Sequence, residues 1–341
     1  MTELPAPVLA ARPFPVAERL PAGLVLRHLR APDDYPAMNA IANSIRAAEG
    51  TEFSTTDDQF AQFYDTLTDS DTRDDVAVAE LGGEIVGYGR AAHHVELAGT
   101  AVYEVIPFVN PITTSPEIFV AMVAALEARA RVIADRFDEP IKVLETFGGD
   151  LAPERDTLLR EMGYEAVRYF FGMVRPTLDD LPDAALPEGL EIRDVRPEHL
   201  PAIWSAADEA FQDHWGYAPP GPNDYERFTT DPVTSDTTLW RIAWDGDEVA
   251  GQVRSFINAE ENARLGRRRG YTEHIAVRRP WRRRGVARAL VAASFPLLRA
   301  RGMTEAALGV DAENPSGALR VYERCGFQRV SRTTTYRKSL A

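Results

Sequence analysis

The chain repeats itself, and that repeat constrains its fold more than any other feature. Pro21-x-Gly23-Leu24-x-Leu26-Arg27-x-x-Arg30 recurs as Pro187-x-Gly189-Leu190-x-Ile192-Arg193-x-x-Arg196, an offset of 166 residues (187 minus 21). Gly82-x-Glu84-Ile85-x-Gly87-x-x-Arg90 recurs as Gly246-x-Glu248-Val249-x-Gly251-x-x-Arg254, an offset of 164 (246 minus 82). Met162-Gly163-Tyr164 parallels Cys325-Gly326-Phe327 at 163 (326 minus 163). Three matches in one order at nearly constant spacing predict two tandem copies of one domain. The 341 residues, 45% of them hydrophobic, suffice for two cores of ordinary size.

Both copies give the same coarse reading. A short alternating strand (24–29; 190–195) leads into helical stretches, 33–48 in the first copy and 197–211 in the second, the latter with proline in its first turn. A hairpin comes next: 76–81 turns at Gly82-Gly83 into 85–92, and 238–244 turns at Asp245-Gly246 into 248–257. Then come a strand, a long helix (115–137; 285–301), a further strand (141–146; 305–310), a helix ending at glycine, and two final strands around 167–174 and 328–337. This βααβββαβαββ order predicts an α/β domain, a mixed and mostly antiparallel sheet with helices on both faces. The expected boundaries are a proline-rich lead-in over 1–22, a first domain over 23–178, a linker over 179–188 broken by Pro182 and Pro187, and a second domain over 189–341.

The copies differ in one short stretch. In the second, the strand Glu273-His274-Ile275-Ala276-Val277 precedes Arg282-Arg283-Arg284-Gly285-Val286-Ala287, and the spacing of Val286, Leu290, Leu297 and Leu298 marks a helix after the glycine. A strand, an arginine-flanked glycine turn and a helix start suit a bound phosphate group. The first amides of a helix lack partners within it, and the helix dipole adds positive charge there. Gly285 removes the Cβ that would hold an anion away from the backbone. The corresponding stretch of the first copy, Val109-Asn110-Pro111-Ile112-Thr113-Thr114-Ser115-Pro116, has neither arginine nor glycine.

Here the chain resembles the GCN5-related N-acetyltransferase (GNAT) family. Residues 282 to 287 match each fixed position of that family's acetyl-CoA loop, Arg/Gln-x-x-Gly-x-Gly/Ala. Asn314, and Tyr322 four residues before Gly326-Phe327, match its later signature in the right order. The resemblance implies two tandem GNAT-fold domains. It implies direct attack of a small molecule's primary amine on the acetyl-CoA thioester, at one working site in the second copy. It also implies that the backbone from Arg283 to Ala287, flanked by Arg282, holds the pyrophosphate, and that the strand edge at Ile275, Ala276 and Val277 takes the pantetheine arm. Asn314 would bond that arm, or else cap the following helix.

By the same resemblance Tyr322 is the general acid, since a phenol with a pKa of about 10 is protonated at neutral pH; the alternative is ordinary packing. Glu273 matches a carboxylate that many members use as base. His274 alternates to the other face of its strand and is expected to pack. His214 and Trp215 lie where the family shapes its acceptor site, and a plain loop role stays open for His214. The first copy, with Leu159 opposite Tyr322, is expected to be a degenerate domain that packs or shapes the acceptor cleft. The other reading of the chain is a CoA-sensing module without turnover.

Composition narrows the partners. A formal net charge of -14 argues against nucleic acid, and the arginines from 267 to 288 carry no groove-reading motif, with Trp281 among them expected to pack. The single cysteine, Cys325, excludes an internal disulfide or a thiolate metal cluster and fits a reducing cytoplasm. No signal peptide or membrane span is expected, since no apolar run reaches about 18 residues. No metal is expected as cofactor.

Overall fold

The computed structural model describes residues 13–14, 20–49, 54–110, 114–314 and 316–340. Most of the proline-rich lead-in, Pro111 to Thr113 of the first copy and Pro315 lie outside the described residues. The chain divides into two compact units: residues through His94, Ala101–Thr146 and the end from Lys338; and Val95–Thr100 with Phe147–Arg337.

The first unit contains β1 (Leu24–His28), α1 (Tyr35–Ala48), α2 (Asp57–Asp65), β2 (Val76–Leu81), most of β3 (Glu84–Val95) and β4 (Thr100–Val109), α3 (Pro116–Ala134) and most of β5 (Ile141–Gly149). Its strands run in the order β1-β2-β3-β4-β5. Helix α2 starts at a capping box, in which Thr56 accepts from the Gln59 amide and Gln59 accepts from the Thr56 amide. An aromatic cluster of Tyr35, Phe60, Tyr64 and Tyr88 joins α1 and α2 to the sheet. Buried Arg27 is neutralised there by Asp34 and Glu80, as a desolvated guanidinium requires.

The second unit contains α4 (Pro153–Glu161), β6 (Glu165–Arg175), β7 (Glu191–Arg193), α5 (Leu200–Phe211), α6 (Asp224–Thr230), β8 (Trp240–Asp245), β9 (Glu248–Phe256), α7 (Ala259–Leu265), β10 (Arg269–Val277), α8 (Val286–Ala300), β11 (Glu305–Asp311), α9 (Ala318–Arg324) and most of β12 (Gln328–Ser339). Its sheet runs β12-β6-β11-β10-β9-β8-β7. Strand β6, the last of the first repeat, thus lies between β11 and β12, antiparallel to both. Each repeat closes on one long strand rather than the two expected, and shifts of register within β12 absorb its irregularity. Helix α7 is additional to the expected order, although its signals are local: the Asn258 side chain accepts from the Glu261 amide, and left-handed Gly266 ends the helix.

Strand alternation sends this sheet's residues into two separate cores. Ala243, Ala250 and Val253 pack with Val286, Leu290 and Phe295 of α8 and with Tyr322 of α9. Trp240 and Ile242 pack on the other face with Ile203 and Ala206 of α5 and Phe228 of α6. Gly251 sits where a Cβ would lie 2.9 Å from the Ala276 carbonyl oxygen and 3.3 Å from Val286, so its lack of a side chain lets β10 and α8 close in.

Candidate active site

The site begins where β10 stops behaving as a strand. It pairs in parallel with β11 only from Arg269 to Tyr271, opposite Glu305 to Ala307. Beyond that point the Glu273 side chain replaces the ladder, its Oε1 accepting from the Gly309 amide at 2.7 Å. On the β9 side, Glu273 pairs with Arg254 and Ala276 with Gln252, so His274 and Ile275 together oppose Val253. This bulge places His274 at φ 49, left-handed and strained for a residue with a side chain. The expected alternation fails for that reason, and His274 is exposed rather than packed. Ile275 and Val277 direct their side chains into the α8-side core, while past Tyr271 their backbone has no recorded pairing with β11.

Val277 leads into the arginine–glycine turn. Arg282 does not present its guanidinium outward. It donates to the carbonyls of Val277 (2.9 Å) and Ala210 (3.1 Å) and to the Asp213 carboxylate. Arg279 donates to the same carboxylate, and the two arginines hold Asp213 well below the usual carboxylate range. Arg282 and Asp213 therefore tie the turn to the end of α5. The exposed part comprises Arg283 at φ 61, Arg284, and Gly285 at φ 90 directly ahead of α8. No atom crowds Gly285, so backbone conformation rather than space calls for glycine there. Val286 and Ala289 are buried beneath the turn, which leaves the first amides of a 15-residue helix with no partner of their own. The arrangement fits a diphosphate.

Tyr322 is buried on α9, edge-on to Phe327 at 6.4 Å between ring centroids. Burial, then the charge of Glu273, pushes its phenol far above the ordinary value, so it stays protonated. Glu273 supplies that charge. Burial raises that carboxyl to about 7 against a single opposing hydrogen bond from Gly309, which suits an acid–base group working near neutrality. Asn314 does not cap the helix after it, since α9 starts at Ala318 behind Gly317. Its Oδ1 instead accepts from the amide and hydroxyl of Ser316. Cys325 is fully buried and its thiol is pushed up, which makes it an inert core residue.

His214 and Trp215 lie in the loop after α5. The His214 imidazole packs edge-on against Phe211, and burial lowers its pKa while Asp311 pulls it back up. Trp215 lies beneath two guanidinium groups, that of Arg337 at 4.3 Å and that of Arg168 at 5.8 Å. Arg168 in turn forks onto Asp311 at 2.7 and 2.8 Å. Trp215 is thus anchored from β6 and β12, within the same neighbourhood as β11's end. Asp213, Arg168 and Asp311 belong to no motif legible in the sequence. Gly251 leaves a trace there, as one of the repeated glycines.

The family model described as "Acetyltransferase (GNAT) family" matches residues 200–327. Among curated relatives, the mycothiol acetyltransferase of Salinispora arenicola is 31% identical over 190 residues, 55% of this chain and 60% of that one. That of Rhodococcus erythropolis is 26% identical over 305 residues, 83% of this chain and 96% of that one. The chain spans 60% and 63% of the length of the Salinispora arenicola and Thermobispora bispora relatives. In fold it is similar to a GCN5-related N-acetyltransferase from Sphaerobacter thermophilus, with a TM-score of 0.72, 24% identity, and coverage of 94% of this chain and 97% of that one.

The GNAT family model thus matches the second copy.

A tandem GNAT protein from the clavulanic acid biosynthesis pathway superposes with a TM-score of 0.63 at 18% identity, over 93% of this chain and 99% of that one. Two GNAT folds in one chain account for the internal repeat. The matched region contains Glu273, the arginine–glycine turn and Tyr322, all within the second copy. No helix among the described residues is long and apolar enough to cross a membrane, and no group of side chains there is suited to a metal ion.

Proposed function

We propose that this chain is an acetyl-CoA-dependent N-acetyltransferase acting on the primary amine of a small molecule, with its working site in the second repeat. The observation that carries the reading is the pair Glu273 and Tyr322. One is a carboxyl raised to about 7, the other a phenol held protonated by burial and by the charge of Glu273. Acetyl-CoA supplies the thioester whose acyl carbon accepts the amine.

The chain's own residues do the rest. Gly285 and the amides after it bind the diphosphate, with Arg283 and Arg284 adding charge. The backbone of Ile275 to Val277, freed from β11, receives the pantetheine arm, and an N–H there polarises the thioester carbonyl. Glu273, in its ionised form, takes the proton that an alkylammonium with a pKa of about 10 must lose before attack. Tyr322 donates its proton to the departing thiolate. Asn314 and the His214–Trp215 loop belong to the walls of this cleft. The mycothiol acetyltransferase of Rhodococcus erythropolis aligns over 83% of this chain, so the amine its name implies is a natural first acceptor to try.

The test is release of free thiol from acetyl-CoA over a panel of amines. Turnover with any of them supports the reading. Tight binding of acetyl-CoA with no turnover by any amine identifies a sensor instead.

A further inference from the structure

Arg254 is a buried cation with no counterion. It retains 9% exposure, lies 4.8 Å from the Phe228 ring and 5.4 Å from the Trp240 ring, and forms no hydrogen bond or ion pair among the described residues. Its Nε is sealed from solvent without a partner. Burial alone pulls its pKa down to about 10, with no neighbouring acid to raise it. A guanidinium remains charged at that value. Buried charges in proteins are ordinarily paired, and two other buried arginines here obey the rule: Arg27 has Asp34 and Glu80, and Arg129 has Asp75.

The repeat supplies an internal control. Arg90 holds the equivalent place in the first copy (254 minus 90 is 164) and is neutralised by Asp69 at 2.7 Å, with Ser70 as a second acceptor. The same offset puts Val233 opposite Asp69 (233 minus 69), and Asp231 nearby is spent on Val233 and Thr234. The second copy has kept the arginine and lost its acid. Gln252, two residues earlier on the same face of β9, has both amide atoms buried without partners. In the first copy Tyr88 fills that place and packs face to face with Phe108.

The position of Arg254 says which ligand is involved. It pairs across β9 and β10 with Glu273. It also lies on the α5–α6 face, opposite the face on which Val253 packs against α8. The diphosphate-binding turn opens α8, so the free guanidinium belongs to the acceptor's side of the sheet. One positive charge matches a monoanion, and a planar fork of donors matches a carboxylate.

We infer that Arg254, with Gln252 beside it, is the receptor for a carboxylate carried by the acceptor, which makes the substrate a primary amine that is also an acid. In the complex that carboxylate stands where Asp69 stands in the first repeat. This inference rests on the acetyltransferase reading for the identity of the acid as acceptor, but not for the binding of an acid.

The experiment uses the full chain with acetyl-CoA, the 20 common L-amino acids and their matched carboxamides. Alongside, binding of N-acetyl-L-amino acids and N-acetyl amino acid amides is measured by calorimetry. Loss of a charge-assisted fork predicts a preference of about 10- to 100-fold in kcat/KM for acid over amide. In Arg254→Gln that preference disappears, mainly through KM, with acetyl-CoA affinity unchanged as evidence of an intact fold; Arg254→Lys recovers part of it. Equal or better use of the carboxamides overturns the inference, as does a preference that survives Arg254→Gln. Faster turnover of succinyl-CoA than acetyl-CoA, lost in the same variant, also overturns it by assigning the acid to the donor. If no amine turns over, the acetyltransferase reading falls, and calorimetry decides alone. N-acetyl acids bound by the wild type but not by Arg254→Gln sustain the receptor; no binding by the wild type removes it.

Discussion

Glu273 titrates in a window set by its burial. Burial raises its pKa from 4.5 to about 7, and only the Gly309 N–H opposes that rise. Below pH 4.5 the side chain is protonated whether the chain is folded or not, and well above 7 it is ionised in both. Between those limits only the folded chain keeps the proton. Unfolding releases it, so stability falls as pH rises through the window. A rise from 4.5 to about 7 corresponds to at most about 3 kcal/mol at pH 8, less whatever the partly open cleft screens.

Glu273→Gln removes this titration while leaving an amide oxygen to accept from Gly309. The variant is therefore expected to match the wild type in denaturant unfolding at pH 4.5 and to exceed it at pH 8. Activity moves the other way. For an acceptor that arrives as an ammonium, wild-type kcat/KM rises tenfold per pH unit below about 7, levels off, and falls again near the amine's own pKa of about 10. In Glu273→Gln the acid limb near 7 disappears and the rate drops about 10²- to 10⁴-fold. A stability gain equal at both pH values, or an acid limb that survives the substitution, would refute the assignment of this pKa to Glu273 and of Glu273 to the base.

Three further outcomes rest on the same geometry. Tyr322→Phe keeps the packing against Phe327 and removes only the proton, so kcat should fall about 10²-fold or more while the calorimetric affinity for acetyl-CoA holds; an unchanged kcat removes Tyr322 as the acid. Gly285→Val forces a β-branched residue to φ 90 and should abolish acetyl-CoA binding, which equilibrium binding would contradict if affinity survived. Asp213→Asn takes the counter-charge from Arg279 and Arg282; the loosened turn should bind acetyl-CoA about 3- to 10-fold more weakly with kcat little changed, and a change in kcat alone would show the pair acting on chemistry instead.

The parts of this fold that are legible in the sequence are those specified by local chemistry. Gly82-Gly83 and Asp245-Gly246 close hairpins where expected, with Gly82, Gly83 and Gly246 all left-handed. Gly285 precedes its helix, and Tyr322 faces the interior of α9's packing as its spacing implies. The illegible parts depend on neighbours distant in sequence. The alternation of β6 predicts a strand but is silent on its partners, and nothing in Val167 to Val174 says that β11 and β12 will flank it. The bulge at His274 and Ile275 defeats a period-two reading because inserting one residue reverses every side chain beyond it. Arg282 matches a ligand-binding motif by position, yet its side chain is consumed by Asp213 and two carbonyls. A motif specifies the backbone course there, not the task of each side chain.

The two repeats differ in how they meet buried charge. Three buried arginines of the first are neutralised from within: Arg90 by Asp69 and Ser70, Arg129 by Asp75, Arg27 by Asp34 and Glu80. The second leaves Arg254 and Gln252 unsatisfied and holds Glu273 at a pKa that costs stability. Unmet polar demand of this kind is unfavourable in the free protein and favourable once a ligand meets it, which is how binding energy is stored in a site. Arg254→Met makes the point measurable. Replacing an unpaired buried guanidinium with an apolar chain of similar volume should raise the thermal unfolding temperature of the free protein. It should also erase any stabilisation by an added acid acceptor, so that the wild type and the variant exchange rank when the ligand is present.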